Sequence, residues 1–140
     1  MKSLFLALMM YYNNGDLNAD HGVPHYGSFT VLGTRHCDFN EDGSIKSCDD
    51  KEKNGYVTYS LEDSSVVVNL DDYYKDYEIK YVKYDEDGDW LIITKTKGNL
   101  DYWCFHFNIE MKQVMLSQVR RNKVVYEGCL MFYFGNYIIG

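Results

Sequence analysis

The stretch YEIKYVKYDEDGDWLIITKTKGNLDYWCFHFN, Tyr77 to Asn108, is three runs of Tyr, Val, Ile, Trp and Phe separated by Asp87-Gly88 and Gly98-Asn99. Both dipeptides accept positive φ, as tight hairpin turns require. Strands joined by such short links are antiparallel neighbours. With Asp87-Gly88 as a two-residue turn, Val82 faces Ile93 and Tyr81 faces Thr94; with Gly98-Asn99 as the next, Thr94 faces Trp103 and Ile92 faces Phe105. One face of this unit then carries Ile79, Tyr81, Trp90, Ile92, Thr94, Trp103, Phe105 and Phe107. The other carries Glu78, Lys80, Val82, Leu91, Ile93, Lys95, Tyr102, Cys104 and His106. The first is the more aromatic and the less charged, and it is assigned to the interior.

The same punctuation runs through the chain. Asn14-Gly15, Asp42-Gly43 and Asn54-Gly55 are further turn dipeptides, and strands are expected near Gly27–Asp38, Ser44–Cys48, Tyr56–Leu61, Val66–Leu70, Tyr77–Tyr84, Asp89–Thr96, Asp101–Asn108, Gln113–Arg120 and Val124–Phe134. No segment has a capped 3.6-residue period. The expected fold is all-β, an antiparallel up-and-down meander of eight to ten strands closed into a barrel that leaves no bare edge, with a two-sheet sandwich as the alternative. A chain of 140 residues fits one β domain over 1–140. Residues 1–19 are either a secretory signal peptide, with Lys2, the apolar run Leu4–Met10 and Ala19 before the cut, or an N-terminal strand from Leu4 to Tyr12. The apolar run is too short to span a bilayer.

A net charge of −7 argues against a nucleic-acid partner. The acid is concentrated: from Glu62 to Asp89, ten acidic residues stand against Lys75, Lys80 and Lys83. Such an edge either keeps a β-protein soluble or attracts a basic partner.

CDFNEDGSIKSC, Cys37 to Cys48, supports two readings. Asp38, Asn40, Asp42, Gly43 and Asp49 have the spacing of a calcium loop. Lys46 stands where that loop tolerates no cation, Asp49 replaces the usual Glu, and strands rather than helices flank it. As a hairpin turning at Asp42-Gly43, the stretch sets Cys37 opposite Cys48, ready to form a disulfide. Cys104 and Cys129 are a second candidate pair. No C-x-x-C, Walker loop, dinucleotide fingerprint or Gly-x-Ser-x-Gly is present. His21 and His25 flank Gly22 and Pro24, which disfavour the helix a zinc pair needs. His106, between Phe105 and Phe107, reads as a partnered strand histidine. No metal, cofactor or catalytic residue is expected.

Three patterns resemble the lipocalins within the calycin group. YGSFTVLGTRH, Tyr26 to His36, is similar to that family's first-strand Gly-x-Trp signature, with Gly27 and Phe29 in the key places. NLDYWCFHF matches the last two residues of its Thr-Asp-Tyr motif at Asp101 and Tyr102, and VMLSQVRR resembles its final barrel strand, whose Arg (here Arg120 or Arg121) packs over the signature residue. Phe for Trp, Leu100 for Thr, a tight first turn and a strand-like VVYEGCLMFYFGNYIIG instead of a helix depart from the family. The resemblance implies a non-catalytic barrel holding a small apolar or amphipathic molecule, secreted if residues 1–19 are cleaved and cytoplasmic otherwise; Phe29, Tyr81, Trp90, Ile92, Thr94, Trp103 and Phe105, on the expected inner face, would line the site. The alternative is a cytoplasmic protein-binding module or inhibitor acting through its 62–89 edge on a basic protein partner. Asp71, Asp72, Tyr73, Tyr74 and Asp76 would be its centre, with tyrosines as anchors. Neither reading involves nucleic acid or membrane.

Overall fold

The computed structural model describes residues 22–96, 101–120 and 123–140. The expected signal peptide or first strand, and the turns at Asn14-Gly15 and Gly98-Asn99, lie outside them. The described residues form eight strands: β1 (Tyr26–Phe39), β2 (Ile45–Ser60), β3 (Ser65–Leu70), β4 (Tyr73–Tyr84), β5 (Trp90–Lys95), β6 (Tyr102–Asn108), β7 (Gln113–Arg120) and β8 (Lys123–Ile139). Each pairs antiparallel with the next, and β8 returns to β1, so the meander is a closed barrel and not a sandwich.

Nine expected strands become eight because Asn54-Gly55 is not a turn. It lies inside β2, where the pairing slips by one residue between Val31–Gly55 and Gly33–Glu52. Gly55 has φ 149°, and a Cβ there would stand 2.0 Å from the Asn69 carbonyl oxygen. The glycine therefore marks a bulge where β3 comes close, a use that the dipeptide alone does not separate from a turn.

The Asp-Gly turns are three-residue loops. Asn40 N–H donates to Ser44 O at 2.8 Å and Asp85 N–H to Asp89 O at 2.8 Å. The glycines take φ 87° and 86°. In the first hairpin the pairing slips again beyond Phe39–Ile45, leaving Lys46 unpaired, and the expected register returns: Cys37 faces Cys48, and the two form a disulfide. Asp42 Oδ1 accepts from Ser44 N–H at 2.9 Å, which settles this stretch as a turn with Asp38 and Asp49 strung along its two strands.

In the second hairpin no such correction follows at once, and Tyr81 pairs with Ile93 instead of Thr94. Tyr81 therefore lies on the outer face, against Leu91, Ile93, Cys104 and Val119, and Val82 takes an interior place. The β5–β6 register is as expected, with Thr94 opposite Trp103 and Ile92 opposite Phe105.

Two further expectations are corrected. Cys104 faces Ser117 on β7 while Cys129 faces Cys37 on β1, so β7 separates β6 from β8. Two interstrand spacings, about 9.5 Å, exceed a disulfide's reach. VMLSQVRR is the seventh strand, and β8 closes the barrel where the lipocalin pattern has a helix. Arg120 pairs with Lys123, at the opposite end of the barrel from Phe29, which pairs with Tyr137. Arg121 lies outside the described residues.

The lumen is filled by rings. Phe29 lies 5.2 Å from Phe107 and 4.8 Å from Phe134, centroid to centroid, while Phe107 lies 5.1 Å from Tyr59 and 5.6 Å from Trp90. Residues 22–25 cross this end: Val23 joins the core, Pro24 O accepts from Tyr59 Oη–H at 3.0 Å, and His25 O accepts from Leu61 N–H at 2.9 Å. Packed aromatics and a strap thus seal one end of the barrel. The opposite end, where β3 turns into β4, is termed the mouth.

Candidate functional site

The mouth is built by alternation along β4. In YYKDYE, Tyr73 to Glu78, the residues Tyr74, Asp76 and Glu78 face outward, while Tyr73, Lys75 and Tyr77 pair with Leu70, Val68 and Val66 on the lumen side. The acidic run is split by the same rule. Asp71 and Asp72 make the β3–β4 turn, where Asp72 pairs with Lys53. Glu62 and Asp63 lie in the β2–β3 loop, and Asp85 to Asp89 span the β4–β5 loop at the sealed end. Of the five residues expected to form a partner surface, Tyr74 and Asp76 share the outer face, Asp71 and Asp72 sit at its rim, and Tyr73 turns inward.

Lys75 is the lumen-side cation of β4. Its Nζ lies 5.6 Å from the Tyr77 ring centroid and 5.9 Å from that of Trp103. No carboxylate among the described residues lies within ion-pair distance of it, whereas Arg35, Lys51, Lys53 and Lys80 each have one. The Tyr73 and Tyr77 hydroxyls share a hydrogen bond of 3.0 Å. Thr94 Oγ1–H donates to Trp103 O at 3.1 Å. Two residues on, Thr96 Oγ1 is fully enclosed without a hydrogen-bond partner, and so is Trp103 Nε1. Trp90 Nε1, at the sealed end, is enclosed in the same way beside the Tyr59 hydroxyl.

Of the residues expected to line a ligand site, Thr94 and Trp103 are gathered at the mouth. Phe29, Trp90, Ile92 and Phe105 lie deeper, in the packed core, and Tyr81 is outside. Lys75, Tyr77 and Thr96 were not anticipated. A lysine amid aspartates reads as solvent-exposed, although the separation of acids from Tyr73, Lys75 and Tyr77 on alternate positions was visible in the sequence.

Burial sets the titration of the two lumen tyrosines. It holds Tyr59 and Tyr77 above the usual tyrosine range by penalising the phenolate, and the hydrogen bond to Tyr73 adds to the effect at Tyr77. Because the folded values are raised, their contribution to stability is complete below about pH 10 and is lost as the pH climbs past it, when unfolded tyrosines ionise first. The urea midpoint is expected to be level from about pH 7 to 9 and to fall above about pH 10, less steeply in Tyr77→Phe. A midpoint that stays level through about pH 11 contradicts this.

At the sealed end, outside the barrel, His106 Nε2 meets Asp89 Oδ2 at 2.9 Å and Asp85 Oδ2 at 3.6 Å. Asn108 Nδ2–H donates to Asp89 Oδ2 at 3.1 Å, and Asp85 Oδ1 accepts from the N–H groups of Asp87 and Asp89 at 2.9 and 3.0 Å. These are the only three metal-ligating side chains gathered within 4.8 Å among the described residues. In the structure they are spent on one another, as a latch tying the β4–β5 loop to β6. A crevice of about 260 Å³ lies on the outer wall between Gly33, Asp50, Glu52 and Tyr133. Two of its lining residues also meet Arg35, which holds Asp50 through two hydrogen bonds of 2.6 and 2.9 Å and lies 5.7 Å from the Tyr133 ring.

No helix among the described residues is long and apolar enough to cross a membrane. Comparison of the chain with protein-family models, with curated proteins and with solved structures finds no significant match.

Proposed function

We propose that the protein is a non-catalytic binding protein that holds a small amphipathic molecule at the mouth of its barrel, as lipocalins do. The pair of enclosed, unpartnered polar atoms, Thr96 Oγ1 and Trp103 Nε1, carries this reading. A buried polar atom without a partner costs about 1–3 kcal/mol. An occupant that supplies the partners removes this cost, so the arrangement favours binding. Lys75 lies over the Trp103 ring, and its flexible stem is the movable part that admits the occupant. The packed rings beneath restrict that occupant to the mouth. The Cys37–Cys48 disulfide suits an oxidising compartment, and the reading accordingly makes the protein a secreted one.

Native mass spectrometry of the protein purified gently from its host tests the reading, with Thr96→Val alongside. A small-molecule adduct that denaturation releases is expected on the parent. Thr96→Val replaces an unpaired hydroxyl by a methyl group, so it is expected to raise the thermal midpoint by about 2–4 °C while reducing the adduct. A parent chain that carries no adduct and takes up no neutral dye such as Nile red overturns the proposal. So does a Thr96→Val chain that melts lower and keeps its adduct.

A second reading rests on the outer face of β2–β4, where Tyr56 and Tyr74 flank Asn69 in one cross-strand row and are 43% and 66% exposed. With Asp76 beside them, they make a surface for a basic protein.

A further inference from the structure

We propose that the occupant of the mouth is a compact aromatic molecule bearing a single carboxylate, seated on Lys75. The inference rests on the binding-protein reading and names the class of ligand. Its first support is charge. A chain of net charge −7 has acids to spare, yet none among the described residues is set against the half-buried Lys75 ammonium. Two aromatic faces compensate a cation only in part. The neighbouring Lys53 is already matched by Asp72, which leaves Lys75 as the lumen-side cation of β2–β4 that no carboxylate among the described residues matches. A monoanion balances it, and a phosphate dianion does not.

The second support is the hydrogen-bonding inventory. Lysine and the indole N–H donate and cannot accept. Thr96 Oγ1 can donate, and the Tyr73–Tyr77 hydroxyl pair, after its mutual bond, retains one proton to give. At the same end Asp101 Oδ2 already accepts from Gln118 Nε2–H at 2.8 Å, so the groups beside Lys75 that stand without a partner, Trp103 Nε1–H and the Thr96 hydroxyl, are ones that can donate to a carboxylate. The third support is shape. Directly beneath the mouth, Tyr77 and Phe105 meet edge-to-face with centroids 5.0 Å apart, and Phe105 is fully buried. A long alkyl tail has no channel to follow, whereas a flat ring stacks on Trp103 once the Lys75 stem swings aside.

The test compares 2-naphthoate with the neutral, near-isosteric 2-naphthamide by calorimetry, on the parent chain, Lys75→Met and Lys75→Arg. The parent is expected to bind the acid at least tenfold tighter than the amide. Lys75→Met should lose the preference and bind the two equally, and Lys75→Arg should keep it. Equal binding of acid and amide by the parent, or a preference that survives in Lys75→Met, overturns the anion inference and leaves the binding-protein reading standing. Tighter binding of decanoate or of 2-naphthyl phosphate than of naphthoate overturns the compact monocarboxylate. Binding of none of these, nor of Nile red, overturns both readings. Should Lys75→Met fail to fold, the acid–amide ratio on the parent and on Lys75→Arg decides alone.

Discussion

Phe107→Ala is expected to lower the free energy of unfolding by about 3–5 kcal/mol, the range for removing a fully enclosed phenyl ring from a core that cannot collapse around the gap. Phe107 has no exposed surface and sits where four other rings converge, with centroids at 5.2 Å for Phe29, 5.1 Å for Tyr59, 5.6 Å for Trp90 and 6.4 Å for Phe105. These neighbours come from β1, β2, β5 and β6 itself, so no single strand can shift inward to fill the space. A domain of this size has about 5–15 kcal/mol in all, and the variant is left marginal. Urea titration followed by near-ultraviolet circular dichroism reads the change, with an unaltered slope expected if the barrel still unfolds as one unit. Phe107→Leu, which keeps most of the volume, should lose much less. A loss below about 1 kcal/mol for the alanine variant contradicts the packed lumen on which the shallow mouth depends.

Gly55→Ala is expected to cost about 3 kcal/mol or more, although it adds one methyl group at a position only partly buried. Two penalties combine there. The residue has φ 149°, where an L side chain is strained. The new Cβ also meets the backbone of β3, at 2.0 Å from Asn69 O and 2.7 Å from Leu70 Cα, atoms that cannot turn away as a side chain would. Relief requires β2 and β3 to part next to the Asp71–Asp72 turn, and Leu70 pairs with Tyr73 at the mouth. The stability loss should therefore come with a changed Trp103 environment. Gly43→Ala is the control: its φ is 87° but a Cβ there meets nothing within 4 Å, so it should cost only about 1 kcal/mol. Equal losses at the two positions would sink the argument from close approach.

How much of this was legible in the sequence depends on how far each feature reached along the chain. Local signals carried well. The Tyr, Val and Ile runs between turn dipeptides yielded the all-β meander and its closure, and both Cys37–Cys48 and Thr94–Trp103 pair as read. The misplacement of Tyr81 shows the limit. A three-residue loop and a two-residue turn share the same Asp-Gly letters, yet they differ by one residue of register, which carries a side chain to the opposite face of the sheet. Asn54-Gly55 failed for a related reason: positive φ serves a bulge as well as a turn, and what distinguishes them is the proximity of Asn69, fourteen or so residues away in sequence. The mouth was half legible. Thr94 and Trp103 followed from register, but Lys75 required the inner and outer faces of β4 to be told apart. The strap over the sealed end was not legible at all, since nothing in GVPH at residues 22–25 announces the Tyr59 hydroxyl that it meets.

The exchange of hydrogen bonds between Tyr26 and Gly140, 2.9 and 3.0 Å long, fixes Gly140 at the closed end of the barrel. A tag joined after Gly140 leaves on the side away from Lys75. When that tag fastens the protein to a bead, a sensor chip or a fusion partner, the Lys75 end of the barrel points away from the support.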